Sequence, residues 1–60
     1  LADTNLALAE TYDYMGNTKE ARIRYQTAID FYSDLSLNEQ AKYKYKELLK
    51  RAKYLLKRLD

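Results

Sequence analysis

Cysteine, histidine and proline are absent from this chain of 60 residues, and glycine occurs once, as Gly16. Without cysteine there is neither a disulfide nor a thiolate ligand for zinc, and without histidine the commonest metal ligand and the commonest general base are missing as well. A small domain that lacks such staples must hold together by packing alone. The missing prolines and the lone glycine remove the strongest helix breakers everywhere except at one point. No uninterrupted apolar run approaches the roughly 18–20 residues that a bilayer span requires, and the first residues lack the basic-then-apolar order of a secretory leader. The chain therefore reads as soluble, without membrane insertion, and its lack of cysteine fits the cytoplasm.

What remains is dominated by Ala, Leu, Lys, Arg, Glu and Gln, all good helix formers. Sixty residues make one domain at most, and a chain of this length buries only about 60% of the surface its unfolded form exposes, so its stability is marginal. The formal charge of +2 hides a gradient. Residues 1–16 carry Asp3, Glu10 and Asp13 with no basic side chain, whereas residues 37–60 carry eight Lys or Arg against Glu39, Glu47 and Asp60.

Periodicity divides the chain into three helices, at about 3–15, 18–35 and 38–59. In the first, Asp3 or Thr4 serves as the cap and Leu1, Leu8, Tyr12 and Met15 form one stripe, with Leu6 and Tyr14 off it. Gly16 supplies the positive φ of a helix end, and Asn17 or Thr18 caps the second helix. There Ala21, Tyr25, Ala28, Tyr32 and Leu35 recur in steps of four and three, and Ile29 widens the face. Asn38 followed by Glu39 reads as the start of the third helix. Its seam is Leu37, Ala41, Tyr45, Leu48, Ala52, Leu55 and Leu59, widened by Leu49 and Leu56. Lys42, Lys46, Lys50, Lys53 and Lys57 take the remaining circumference, and Tyr43 and Tyr54 look more exposed than Tyr45. The short turn at Gly16 makes the first two helices antiparallel neighbours. Ala9, Ala21 and Ala28 let them approach closely while Tyr12 and Tyr25 fill the space alongside.

At Leu8, Ala9, Tyr12, Gly16, Ala21, Tyr25 and Ala28 the chain resembles a tetratricopeptide repeat, a unit of ~34 residues built as helix, turn, helix. The likeness covers about residues 2–35. Asn5 stands where the family usually has an aromatic, and Ser33 where it usually has proline. The third helix lacks the glycine-turn-alanine pattern and is similar to the amphipathic helix that closes such an array. The resemblance implies an all-α fold: a three-helix, antiparallel, right-handed bundle in a single domain spanning residues 1–60, with a hairpin at 1–35 and a capping helix at 36–60, at the end of a longer repeat array. A weaker resemblance, to the microtubule interacting and trafficking domain, rests on Ala9, Asp13, Gly16, Ala21, Tyr25 and Ala28, then Lys50, Tyr54, Leu55 and Arg58.

Function is expected to be non-catalytic. Glu10 and Asp13 share a helix face, but no phosphate loop or metal pattern accompanies them, and no cofactor is implied. The repeat family binds protein or peptide ligands along the face formed by the first helix of each unit; carried onto this chain, that face is Asp3, Leu6, Glu10, Asp13 and Tyr14. It favours a basic peptide. The plain alternative is that the three acids only solubilise the helix, which leaves Leu6 and Tyr14 as the residues that decide. The adaptor domain instead receives a partner helix between its second and third helices, here near Ile29, Tyr32, Leu49 and Leu56, where ordinary core packing is the competing account. A basic nucleic-acid-binding module, built on the third helix with Tyr43 and Tyr54, is a further and disfavoured alternative, because Glu39, Glu47 and Asp60 dilute the field. Self-association is also expected of a lone repeat with uncovered flanks.

Overall fold

A computed structural model of the chain describes residues 1–59; Asp60, counted above among the diluting acids and as the end of the capping segment, lies outside them. Among the described residues the chain forms three helices, α1 (Ala2–Tyr14), α2 (Thr18–Leu35) and α3 (Lys42–Leu59). The turn between the first two follows directly from its side chains. Gly16 adopts φ +82°, a region that residues with a Cβ avoid. The Gly16 N–H then donates to the Asp13 carbonyl (3.0 Å) and the Asn17 N–H to the Tyr12 carbonyl (2.8 Å), the paired bonds of a Schellman ending. One residue later the Asn17 carboxamide oxygen accepts from the Glu20 N–H at 3.3 Å and opens α2.

Two expected caps are corrected. Neither Asp3 nor Thr4 caps α1, which begins at Ala2 with Leu1 in the cap position and no side-chain cap. The carboxylate of Asp3 is engaged elsewhere, as described below. Asn38 does not open the third helix either. Its side chain accepts from the Gln40 N–H (2.9 Å) and its carbonyl from the Ala41 N–H (3.1 Å), which closes a tight turn. Helical bonding starts only with the Tyr45 N–H on the Ala41 carbonyl. A short polar side chain beside its own backbone competes with the helix, and here it delays α3 to Lys42. Leu37, expected in the seam, sits in that turn and is 80% exposed.

Helix α2 is central and packs against both α1 and α3. Ala9, Ala21 and Ala28 are fully buried, as are Tyr25 and Tyr32, and Ile29, Ala52 and Leu55 complete the core with Ala2 and Leu6. Tyr12, Tyr45, Leu48, Leu49, Leu56 and Leu59 pack partly buried around it. The antiparallel order is fixed by pairs that cross between helices: Asp3 with Tyr32 and Asp13 with Tyr25 between α1 and α2, and the rings of Tyr32 and Tyr45, 6.3 Å apart, between α2 and α3. This register brings Ala9 level with Ala28 and the small Ala52 level with the large Tyr25.

The inward face of α1 differs from the expected stripe. Ala2, Leu6 and Ala9 point into the core, whereas Leu1 and Met15 are exposed and Leu8 and Tyr12 only half-buried. Large apolar residues lie almost all the way round this helix, so periodicity alone does not choose its buried side. The choice is made by Tyr25 and Tyr32, whose rings need the room that alanines leave and whose hydroxyls need acceptors.

Candidate binding face between the first and third helices

The molecule measures 36 × 19 × 13 Å, with α1 and α3 each packed on α2. Where these outer helices face each other, the sequence-predicted residues meet different fates. Asp3 accepts a hydrogen bond from the Tyr32 hydroxyl at 2.5 Å, and Asp13 accepts one from the Tyr25 hydroxyl at 3.1 Å. Glu10, between them on α1, pairs with Arg51 of α3 at 2.9 Å. Leu6 is buried in the core and offers nothing to a ligand; its expected place off the core stripe is corrected. Tyr14, at the end of α1, is 94% exposed.

The two acid–phenol pairs set the electrostatics. Burial pushes the Tyr25 phenol up to about 12, and the hydrogen bond to Asp13, the charge on Asp13 and the charge on Glu10 add to it, opposed by Arg58. Burial likewise raises Tyr32, with the hydrogen bond to and charge of Asp3 next in importance. Both phenols are therefore fixed as protonated donors at neutral pH, and each holds a carboxylate in one position. Asp3 and Asp13 are structural acceptors first. Of the three acids on this face, Glu10 has a partner that a ligand can replace, because its contact with Arg51 lies in solvent, with both side chains well exposed.

Between the N-terminal end of α1, the end of α2 and the start of α3 lies an open cavity of about 310 Å³ lined by Leu1, Ala2, Asp3, Thr4, Leu35 and Tyr45. A mixed lining, with Leu1, Ala2, Leu35 and Tyr45 beside the polar Asp3 and Thr4, suits a side chain that is apolar along its stem and cationic at its tip. The opposite rim of this face, Arg51 and Tyr45, was not foreseen in the sequence reading. No local pattern reveals a pair 41 residues apart; the only hint is the excess of positive charge in α3 over an acidic α1.

At the other seam, Ile29 and Tyr32 are buried and Leu49 and Leu56 pack partly buried against the core. Among the described residues no group of three or more Cys, His, Asp or Glu is arranged to hold a metal ion, and no helix is long and apolar enough to cross a membrane. No family model matches the chain, and comparison with curated proteins and with solved structures finds no match for it.

Proposed function

We propose that the chain is a non-catalytic scaffold of tetratricopeptide type that binds a basic peptide or protein segment on the face shared by α1 and α3. The observation that carries this reading is the Glu10–Arg51 pair, an exposed ion pair spanning two helices that each pack chiefly on α2. An incoming Lys or Arg exchanges for Arg51 on Glu10 at little cost, since an exposed pair is worth under about 1 kcal/mol. Tyr14 then supplies an exposed ring beside it, and the open cavity at the far end takes a second side chain. The packing of Leu49 and Leu56 against the core beside buried Ile29 and Tyr32 supports this face over the groove used by the trafficking-type adaptor. Met15 and Ile23, both exposed, supply apolar surface that a neighbouring repeat or a second copy would cover. A cysteine-free scaffold of this kind suits the reducing cytoplasm.

Peptide selection from a displayed random library tests the proposal. It should return sequences with Lys or Arg beside an apolar residue. A selected peptide should bind at least about fivefold more weakly to Glu10→Lys and to Tyr14→Ala, both with wild-type helicity. Asp13 is kept, because it holds Tyr25 and its loss would confuse binding with folding. Enrichment of acidic peptides, or wild-type affinity in both variants, would remove this face from consideration.

A further inference from the structure

We propose that the outward side of α3 is a docking surface for a single-stranded nucleic acid, on which Lys46, Lys50, Lys53 and Lys57 take phosphates and Tyr43 and Tyr54 stack on bases. At about 100° per residue these six positions fall within an arc of about 100°, in the order Lys53, Lys46, Lys57, Lys50, Tyr43, Tyr54. All six are exposed. The opposite arc holds Leu55, Leu48, Leu59, Ala52, Tyr45, Leu56 and Leu49, every one buried or packed against the core. The lysines follow one another at four, three and four residues, a row of roughly 16 Å along the axis.

Two features separate this row from a face that merely keeps a helix in water. The first is its unbalanced charge. Outside the arc Lys42 pairs with Glu39 at 3.5 Å and Arg51 with Glu10 at 2.9 Å. Within the arc only Lys50 reaches one, Glu47 at 3.9 Å, and Lys46, Lys53 and Lys57 have none among the described residues. Glu39 precedes the helix altogether, and Glu47, at the edge of the arc, offsets Lys50 alone. Like charges three and four residues apart cost helix stability, and a solubilising face would gain from alternating them with Glu. The second feature is aromatic. Tyr43 and Tyr54 are 78% and 63% exposed, each with one cation over its ring, Lys42 at 5.7 Å and Arg58 at 5.9 Å. Solubility gains nothing from bare rings, whereas a stacked base covers them.

The composition of the arc selects among polyanions. A membrane surface calls for aliphatic side chains to insert, and every leucine of α3 lies on the core side. For an acidic peptide the arc offers no aliphatic anchor, only the rings of Tyr43 and Tyr54. A phosphate backbone with unpaired bases matches both the regular cations and the flanking rings. The arc carries no Asn or Gln and no arginine fork to read base edges, so binding should be indifferent to sequence. This surface is separate from the α1–α3 face, and the two proposals stand or fall independently.

Anisotropy of a short fluorescein-labelled oligothymidylate, titrated with the 60-residue chain at several salt concentrations, tests it. Binding should fall with salt at a log–log slope of about −0.7 per lysine engaged, about −3 in all. The triple variant Lys46→Gln/Lys53→Gln/Lys57→Gln, all exposed positions in a good helix former, should keep its helicity and lose about two from that slope. Tyr43→Ala/Tyr54→Ala should weaken affinity by about fivefold or more per ring and leave the slope unchanged. No binding at low salt, or an unaltered slope in the lysine variant, would overturn the proposal. So would stronger binding to polyglutamate or to phosphatidylserine vesicles, which would assign the face to an acidic chain or to a membrane instead.

Discussion

The two interfaces of α2 are built on opposite principles. Against α1 the contact is made of absence: fully buried alanines at 9, 21 and 28, with Ala2 beside them, leave space that the rings of Tyr25 and Tyr32 occupy. Two phenol–carboxylate hydrogen bonds then fix its register. Against α3 the contact is made of volume: Leu55 with Leu48, Leu49, Leu56 and Leu59, and Tyr45 over Tyr32. One interface is specified by what does not fit, the other by how much apolar area it covers. The difference decides how each should fail.

The largest effects should come from violating each principle in turn. Leu55→Ala removes volume from the α3 seam and should cost about 2–5 kcal/mol. Against a total of about 3–9 kcal/mol for a chain of this length, such a loss removes a large share of the stability. Leu55→Met, which keeps volume, should cost less than about 1.5 kcal/mol. Ala28→Leu does the reverse at the α1 contact and should cost about 1–3 kcal/mol by overpacking. Urea unfolding followed by circular dichroism measures all three. If Ala28→Leu proves neutral, the alanine contact has slack and the proposed contrast is wrong.

A smaller effect isolates the polar half of the α1 contact. Tyr25→Phe keeps the ring but orphans half-buried Asp13, and should cost about 1–2 kcal/mol at pH 7. The pH dependence gives it a signature. The Tyr25 phenol is raised from 10.0 to about 12 in the folded chain, so above pH 10 the unfolded state gives up the proton that the folded state retains. Stability from this group is therefore complete below about pH 10 and is lost as pH climbs through about 12. Tyr32, raised from the same starting value, contributes in the same direction. Thermal melts between pH 7 and 11.5 should fall steeply at the alkaline end, and the difference between wild type and Tyr25→Phe/Tyr32→Phe should shrink there. A constant difference across that range would mean that the phenols are not held by burial and carboxylates.

The same contrast explains which parts of the structure were legible in the sequence. From Tyr45 to Leu59 the α3 seam could be read residue by residue because lysines take much of the remaining circumference, so leucines have one place to go; Leu37, read as its start, falls in the preceding turn. The Gly16–Asn17 turn was equally plain, since only one residue tolerates its φ and the next carries its own cap. Helix α1 resisted for a reason rooted in chemistry: its inward face has two alanines and a leucine flanked by Asp3 and Asp13, while Leu1, Leu8 and Met15 point elsewhere. A periodicity argument follows the large apolar residues and so rotates the helix by about a third of a turn. The information that corrects it sits on another helix, in the tyrosine hydroxyls. Asn38 misled for a related reason, because its side chain bonds equally well in a turn and in a cap. Of the candidate face, the acidic rim could be listed from sequence, but not that two of its acids are committed to phenols, nor that Arg51 stands opposite the third.

The backbone device that joins α1 to α2 offers a finer test of the same interface. A Cβ at Gly16 would meet nothing within 4 Å, so Gly16→Ala introduces strain without collision. Its cost should be that of a left-handed residue alone, about 1 kcal/mol, and it should be the same in a Tyr25→Phe background, since turn and hydrogen bond are separate supports. A cost well above that, or one that changes with the background, would show the turn and the phenol–carboxylate bond acting as a single unit.

The smallest effect lies where the two outer helices meet. Glu10 and Arg51 form a charged pair between α1 and α3, and both side chains reach solvent, so Arg51→Gln should cost under about 1 kcal/mol and less still in high salt. The value of the measurement is in its smallness. If α1 and α3 are each held by α2 alone, the double variant Glu10→Gln/Arg51→Gln should lose no more than the singles combined, minus a few tenths of a kcal/mol of coupling. A coupling above about 1 kcal/mol would make the pair a strut of the fold. A ligand would then have to break that strut to reach Glu10, and the α1–α3 face would be poorly suited to receive a peptide.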